Sequence, residues 1–253
     1  AGPPVRREAG VSRKQTIAGA FSAAAATYEA AARAQELAAD RLVERLEAPA
    51  PLRVLELGCG TGLLTRRLLA ALPAGSDLLA TDLSPAMVET AARTCPNARV
   101  AAMDAEAPDV AGPFDLIASS LAAQWFTDLP GTLGRLAGLL APGGRLLLAT
   151  LGPGTFAEWK AAHRAVGRDS GVPDYPGAEA LAAMLPGAAV ERFAFTLDYA
   201  DGREFLRSLE ALGAQTPRPG HRPLPPGLLR RIMAAMGAPC AVTWDILLLD
   251  YRR

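Results

Sequence analysis

Between Arg53 and Leu151 the chain alternates short apolar runs with amphipathic runs of helical period, and this restricts the fold more than any other feature. "RVLELG" is a strand, "GLLTRRLLAALP" a helix stopped by Pro73, and "DLLATDL" a second strand. "SPAMVETAART" is a helix with Ser84 at its N-cap and Pro85 at its first position. "ARVAAMDA" and "FDLIASS" are the third and fourth strands, "DLPGTLGRLAGLL" a glycine-weakened helix, and "APGGRLLLATL" a turn and fifth strand. Such alternation builds a parallel, doubly wound α/β sheet with right-handed crossovers. Beyond Leu151 come the helices "TFAEWKAAHRAVG" and "GAEALAAMLPG", the strand "VERFAFTLDY" and the helix "GREFLRSLEALGA". A Pro/Gly/Arg loop, the helix "LLRRIMAAMG" and a last strand, "CAVTWDILLLDYRR", complete the chain. Two late strands predict an antiparallel pair at one sheet edge, in a Rossmann-like sheet of seven strands. Upstream, Ala18 to Leu46 reads as helix, broken near Tyr28 and stopped by "APAP".

A chain of 253 residues suits one α/β domain with a large core. Twenty-six basic and 26 acidic residues cancel, which argues against a nucleic-acid binder. Three scattered cysteines and two histidines, with no C-x-x-C, argue against a disulfide framework or a metal site. They predict a reducing, cytoplasmic setting. No run of about 18 apolar residues is present to span a membrane.

"LELGCGTGLL" is the most informative stretch. Gly58, Gly60 and Gly62, with Cys59 between, stand between a strand and a helix, where glycine lets backbone N–H groups approach a ligand. A dinucleotide fingerprint would be G-x-G-x-x-G; here the third glycine comes one residue early and Leu63 takes its place. Glu56, two residues before Gly58, would repel a pyrophosphate but attract an ammonium or a sulfonium. Asp82 ends the second strand 24 residues after Gly58, placed either to bridge ribose hydroxyls or to cap the next helix. Leu83 follows it, and Met87 either packs on an adenine face or belongs to the core. Asp104, with Ala105, closes the third strand, where it can accept from an adenine amine. In this order these signals resemble the class I S-adenosylmethionine-dependent methyltransferases.

Three further stretches narrow the resemblance. They are "AFSAAAATYEAAARAQELAADRLVERL", the long segment that opens "SSLAAQWF" after the fourth strand, and "FLRSLEALGAQTPRPG". From about Ala20 onward they resemble the biotin-pathway malonyl-acyl-carrier-protein O-methyltransferase family. Ser120 stands where members often carry Asn, and Phe126 where Cys is frequent. The resemblance implies methyl transfer from S-adenosylmethionine, leaving S-adenosylhomocysteine, to the free carboxylate of a malonyl thioester on acyl carrier protein. An alternative is a carboxyl or other O-methyltransferase acting on a free small molecule. The expected organisation is a disordered basic stretch over 1–17 and one methyltransferase domain over 18–253. Within it, 18–47 form a helical lid, 52–151 the cofactor-binding core, and 152–253 the substrate-covering and C-terminal part.

The family pattern puts Tyr28 over the methyl donor; packing of its helix on the sheet is the other reading. A malonyl carboxylate is ionised at neutral pH, so no general base is required. The work left to the protein is alignment and exclusion of water. Gln124 and Trp125 are expected to wall the chamber, with Ser119 and Ser120 touching the cofactor. Arg33 either pairs with the cofactor's carboxylate or lies on a solvated face. For the substrate carboxylate the candidate partners are Lys160, His163, Arg203 and Arg207. Residues 202–253 hold eight arginines against four acids, a charge of +4 in a neutral chain. Arg218, Arg222, Arg230 and Arg231 are a candidate docking patch for an acidic carrier; ordinary solvated arginines are the alternative.

Overall fold

A computed structural model describes residues 12–253. The expected disorder of 1–17 falls partly on residues 1–11, outside the described residues. From Arg13 it is overturned: α1 spans Arg13–Ala24. Its start is fixed by a capping box, with the Ser12 hydroxyl accepting from the Gln15 N–H and the Gln15 side chain accepting from Ser12 N–H. The helix expected to Leu46, with its break near Tyr28, is in fact three: α1, α2 (Tyr28–Ala31) and α3 (Arg33–Val43). The first break is made by Thr27, whose hydroxyl lies 3.1 Å from the Ala24 carbonyl and 2.9 Å from that of Ala211. A hydroxyl that takes a helical carbonyl competes with the helix ladder.

The alternating segment follows as β1 (Arg53–Leu57), α4 (Leu63–Ala71), β2 (Asp77–Asp82), α5 (Pro85–Thr94), β3 (Arg99–Ala102) and β4 (Phe114–Ser120). Then come α6 (Leu129–Gly138), β5 (Leu140–Leu151), α7 (Ala157–Ala165), α8 (Ala178–Met184) and β6 (Ala189–Tyr199). Helices α9 (Gly202–Ala211) and α10 (Pro226–Ala235) and strand β7 (Cys240–Arg252) end the chain. The "APGG" turn expected before β5 is instead absorbed into it as an irregularity. Phe114 pairs with Leu140 but Leu116 with Arg145.

The seven strands lie in the order β3-β2-β1-β4-β5-β7-β6. The first five are parallel, and β7 is antiparallel to both β5 and β6. The sheet is buried on both faces because successive residues of a strand point to opposite sides. Leu146 and Leu148 of β5 join Leu133, Leu136 and Leu181 on one face. Leu147 and Ala149 join Leu42, Leu64 and Trp159 on the other. The strand order reverses between β1 and β4, which opens a crevice beyond their carboxyl ends, the usual ligand position in such sheets. Among the described residues no helix is long and apolar enough to cross a membrane.

Candidate active site

The loop between β1 and α4 forms the floor of the crevice. Gly58 and Gly60 hold φ of 69° and 55°, a left-handed backbone that β-carbons disfavour. A Cβ on Gly58 would stand 2.4 Å from that of Ala122, so the β4 loop closes directly against the glycine. A Cβ on Gly60 would stand 3.9 Å from the Tyr28 phenol, which places the α2 tyrosine over the loop. Burial holds that phenol above its ordinary pKa, so it stays an O–H donor. Asp82 braces the loop: one carboxylate oxygen accepts from Gly60 N–H at 2.9 Å, the other from Ser84 N–H at 2.8 Å. Each oxygen keeps a lone pair for a ligand hydroxyl. Burial raises the Asp82 pKa, and these backbone N–H groups oppose the rise.

Glu56 is 1 % exposed, and both its carboxylate oxygens lack a hydrogen-bond partner. Burial pushes its pKa up to about 8; the nearby Thr65 hydroxyl and N–H oppose the rise and Asp82 adds to it. A carboxyl left bare in this way is costly unless a donor or cation joins it. Two residues on, Gly58 opens on a cavity of about 100 Å³, whose lining includes Gly60, Asp82, Leu83, Asp104, Ala105 and Ser120 but not Glu56 itself. Ser120 adds a buried hydroxyl without a partner. The α1 helix roofs this space: the Lys14 ammonium lies 2.7 Å from Asp104 and 2.6 Å from Glu106, and Phe21 meets Trp125 edge-on at 5.7 Å.

A second cavity of about 510 Å³ lies beside the first. Leu121 and Trp125 line both and so form the wall between them. Leu121 holds this wall at φ 52°, a conformation that a leucine rarely adopts and that marks stored strain. Its N–H donates to the Ala149 carbonyl, and its own carbonyl accepts from Gln124 Nε2 at 2.6 Å. Residues 123–125 form one turn of 3₁₀ helix, which turns Gln124 and Trp125 into the cavities. Phe156, Trp159, Tyr175 and Trp244 add aromatic faces to a wall that also holds leucines, prolines and polar residues, Glu210 among them.

Several sequence-predicted residues are not brought to either cavity. Arg33 is exposed on α3. Met87 is 1 % exposed and packs in the core beneath α5. The Ser119 hydroxyl donates to the Leu57 carbonyl and ties β4 to β1. Cys59 and Gly62 belong to the glycine loop but not to the lining; the Cys59 N–H donates to the Thr81 carbonyl, and Gly62 caps α4. Lys160 donates to the Pro153 carbonyl and lies over the Tyr175 ring. Arg203 and Arg207 are exposed on α9. His163 does line the larger cavity, but its Nδ1 is 2.9 Å from the Trp159 carbonyl and burial lowers its pKa, so it is neutral. Of the four docking arginines, Arg218 is paired with Asp169 at 2.8 Å. Arg222, Arg230 and Arg231 are exposed. Sequence reasoning missed Lys14, Phe21 and Glu106. Only Glu106 left a sign, two residues after Asp104.

The residues present suit S-adenosylmethionine. The orphaned Glu56 carboxyl calls for an ammonium, Asp82 for a ribose diol, and Asp104 for an adenine amine. The glycine backbone leaves the room that a β-carbon would fill.

Known proteins agree with this geometry. A family model described as "Methyltransferase domain" matches residues 54–144. The malonyl-[acyl-carrier protein] O-methyltransferase of Magnetococcus marinus is 42 % identical over 221 residues, 83 % of this chain and 82 % of that protein. The biotin biosynthesis bifunctional protein BioCD of Bordetella avium is 44 % identical over 225 residues. These are 87 % of this chain but 48 % of that protein, so the chain spans about half of the bifunctional relative. Among solved structures, the YcgJ protein of Bacillus superposes with a TM-score of 0.62 at 17 % identity. That match covers 85 % of this chain and 97 % of the other, and it shows the shared fold.

Proposed function

We propose a function from one premise: the chain belongs to the malonyl-[acyl-carrier protein] O-methyltransferase family. It is an S-adenosylmethionine-dependent O-methyltransferase, and it methylates the free carboxylate of a malonyl thioester carried by acyl carrier protein, a step of biotin synthesis. When bound, S-adenosylmethionine supplies a methyl group on a sulfonium; a C–O bond forms to the carboxylate as the S–C bond breaks, leaving a neutral ester and a neutral thioether.

The observation that carries this reading is the pair of cavities divided by Leu121 and Trp125. One side offers Glu56, Asp82 and Asp104, the acidic set for the donor. The other is an aromatic chamber for the acceptor. The carboxylate is the nucleophile as it arrives, so no base is needed. Trp125 and Leu121 fix the line between the two sites, and the aromatic lining excludes water, which strengthens the attraction between unlike charges. At about 510 Å³ the acceptor cavity lies within the ~300–1,000 Å³ range of small-ligand sites and exceeds what a malonyl group needs. The surplus suits the pantetheine arm of a carrier. The loop between α9 and α10 lines this cavity through Pro217, His221 and Pro223, and it also bears the exposed Arg222. An acidic carrier delivering its arm would meet that charge.

The test is a comparison of acceptors. Radiolabelled methyl from S-adenosylmethionine is offered to malonyl-acyl carrier protein, malonyl-coenzyme A and free malonate. The carrier is expected to give the highest kcat/KM. Faster turnover of free malonate would move the assignment to a small-molecule carboxyl methyltransferase.

A further inference from the structure

We infer that the acceptor's malonyl oxygens are held by a neutral seat, the Gln35 amide with the Trp244 indole N–H as companion, and not by a cation. This rests on the reading of the acceptor given above. Gln35 stands on α3 in the stretch "ARAQ", and nothing else in the site assigns it a task.

Among the described residues the larger cavity has no lysine or arginine in its lining. A carboxylate buried there without donors would be costly, so the neutral groups must serve. Several of them are already committed. Gln124 gives one of its two amide N–H groups to the Leu121 carbonyl, and its buried oxygen is without a partner. His163 donates from Nδ1 to the Trp159 carbonyl, so its neutral ring turns a lone pair, not a proton, toward a guest. The Trp159 indole donates to the Ser170 carbonyl at 3.2 Å. His221 lies 3.4 Å from Asp169, an anion that a second carboxylate would have to face.

The Tyr175, Gln215 and Thr216 side chains also line the cavity and can donate, but Gln35 and Trp244 are set apart by buried polar atoms without a partner. The Gln35 amide lines the cavity, and its oxygen is buried without a partner. Trp244 is 3 % exposed, lines the same cavity and has a buried Nε1 with no partner. Gln35 stands on α3 and Trp244 on β7, two elements that are in contact. Buried polar atoms without partners are rare, and each calls for an explanation.

The chemistry favours such a seat. Methyl transfer from a sulfonium to a carboxylate cancels both charges, so the transition state is less charged than the ground state. A lysine or arginine on the carboxylate would hold the ground state more tightly than the transition state and slow the reaction. An amide and an indole orient the oxygens with a smaller penalty.

The experiment measures binding by calorimetry, with the enzyme saturated with S-adenosylhomocysteine. The probes are malonyl-acyl carrier protein and acetyl-acyl carrier protein, which differ in the carboxylate. Gln35→Leu is expected to weaken malonyl-carrier binding about tenfold, the scale of a hydrogen bond to a charged group, and to leave the acetyl carrier unchanged. Gln35→Glu, which keeps the length, is expected to weaken the malonyl carrier further and to recover as the pH is lowered. Trp244→Phe is expected to act in the same direction as Gln35→Leu. If Gln35→Leu weakens both carriers alike, or neither, the proposal is overturned. Misfolding shows itself separately, as loss of S-adenosylhomocysteine binding, and Gln35→Glu then decides: recovery at low pH supports the seat and its absence overturns it. A wild-type enzyme that fails to methylate the malonyl carrier would fail the functional reading itself. Normal methylation with unaltered Gln35 variants would fail only this inference.

Discussion

Glu56 is the residue whose chemistry can be isolated most cleanly. Its carboxyl is pushed from an ordinary 4.5 to about 8 by burial. The folded state therefore holds a proton that the unfolded state releases, and stability falls as pH rises from about 4.5 to about 8. Glu56→Gln removes this dependence. It is expected to be more stable than the parent at pH 8 by about 1–3 kcal/mol and equal to it near pH 4, read from urea melts. Parallel melts at both pH values would contradict the assignment. The same substitution should abolish tight binding of S-adenosylmethionine, because it removes the charge that meets the ammonium. The placing of Glu56, Asp82 and the glycines at the carboxyl ends of β1 and β2 was legible in the sequence because it depends on spacing along the chain. Leu121 was not. Its left-handed backbone is imposed by the closure of the β4 loop on Gly58, and no residue type announces it. Met87 and Arg33 misled for the opposite reason: their spacing suited a cofactor contact, but one is in the core and the other in solvent.

At the scale of elements, α1 decides access to the donor site. The space beneath it is about 100 Å³, against ~300–1,000 Å³ for typical small-molecule sites, so the helix must shift when a cofactor enters. It is held by Lys14 on Asp104 and Glu106, by the Ser22 hydroxyl 2.8 Å from that of Ser84, and by Phe21 on Trp125. Lys14→Met removes the two charged contacts. The association rate of S-adenosylhomocysteine, followed by tryptophan fluorescence in a stopped-flow instrument, is expected to rise several-fold. An unchanged or slower rate would show that α1 does not gate entry. A helix broken near Tyr28 was legible in the alanine-rich segment, but its start and the cause of the break were not. The start depends on a capping box five residues earlier than the expected boundary, and the break on a hydroxyl that bonds to α9, a contact distant in sequence. The alternating elements of the sheet were legible because each carries its own period and its own stop. The "APGG" segment was misread as a turn because its pairing with β4 overrides its turn chemistry.

The whole molecule joins two half-sites across one strand-order reversal. The parallel strands β1 to β5 bring the acidic donor set to their carboxyl ends. The antiparallel pair β6 and β7, with α7, α9 and α10, builds the aromatic acceptor chamber beside it. The donor half was legible because its motif is local. The acceptor half was not, because its lining is gathered from segments as distant as Gln35, Trp125, His163 and Trp244. Charge follows the same division: the chain is neutral as a whole, and the excess of arginine falls on the segment that covers the acceptor side. The central claim is that a carboxylate on a carrier-bound malonyl group is what this chamber takes. Its most direct test is the intact mass of malonyl-acyl carrier protein after incubation with the enzyme and S-adenosylmethionine. A gain of one methylene unit is predicted, on the malonyl carrier and not on the acetyl carrier. An unchanged mass, under conditions in which S-adenosylmethionine is bound, would contradict it.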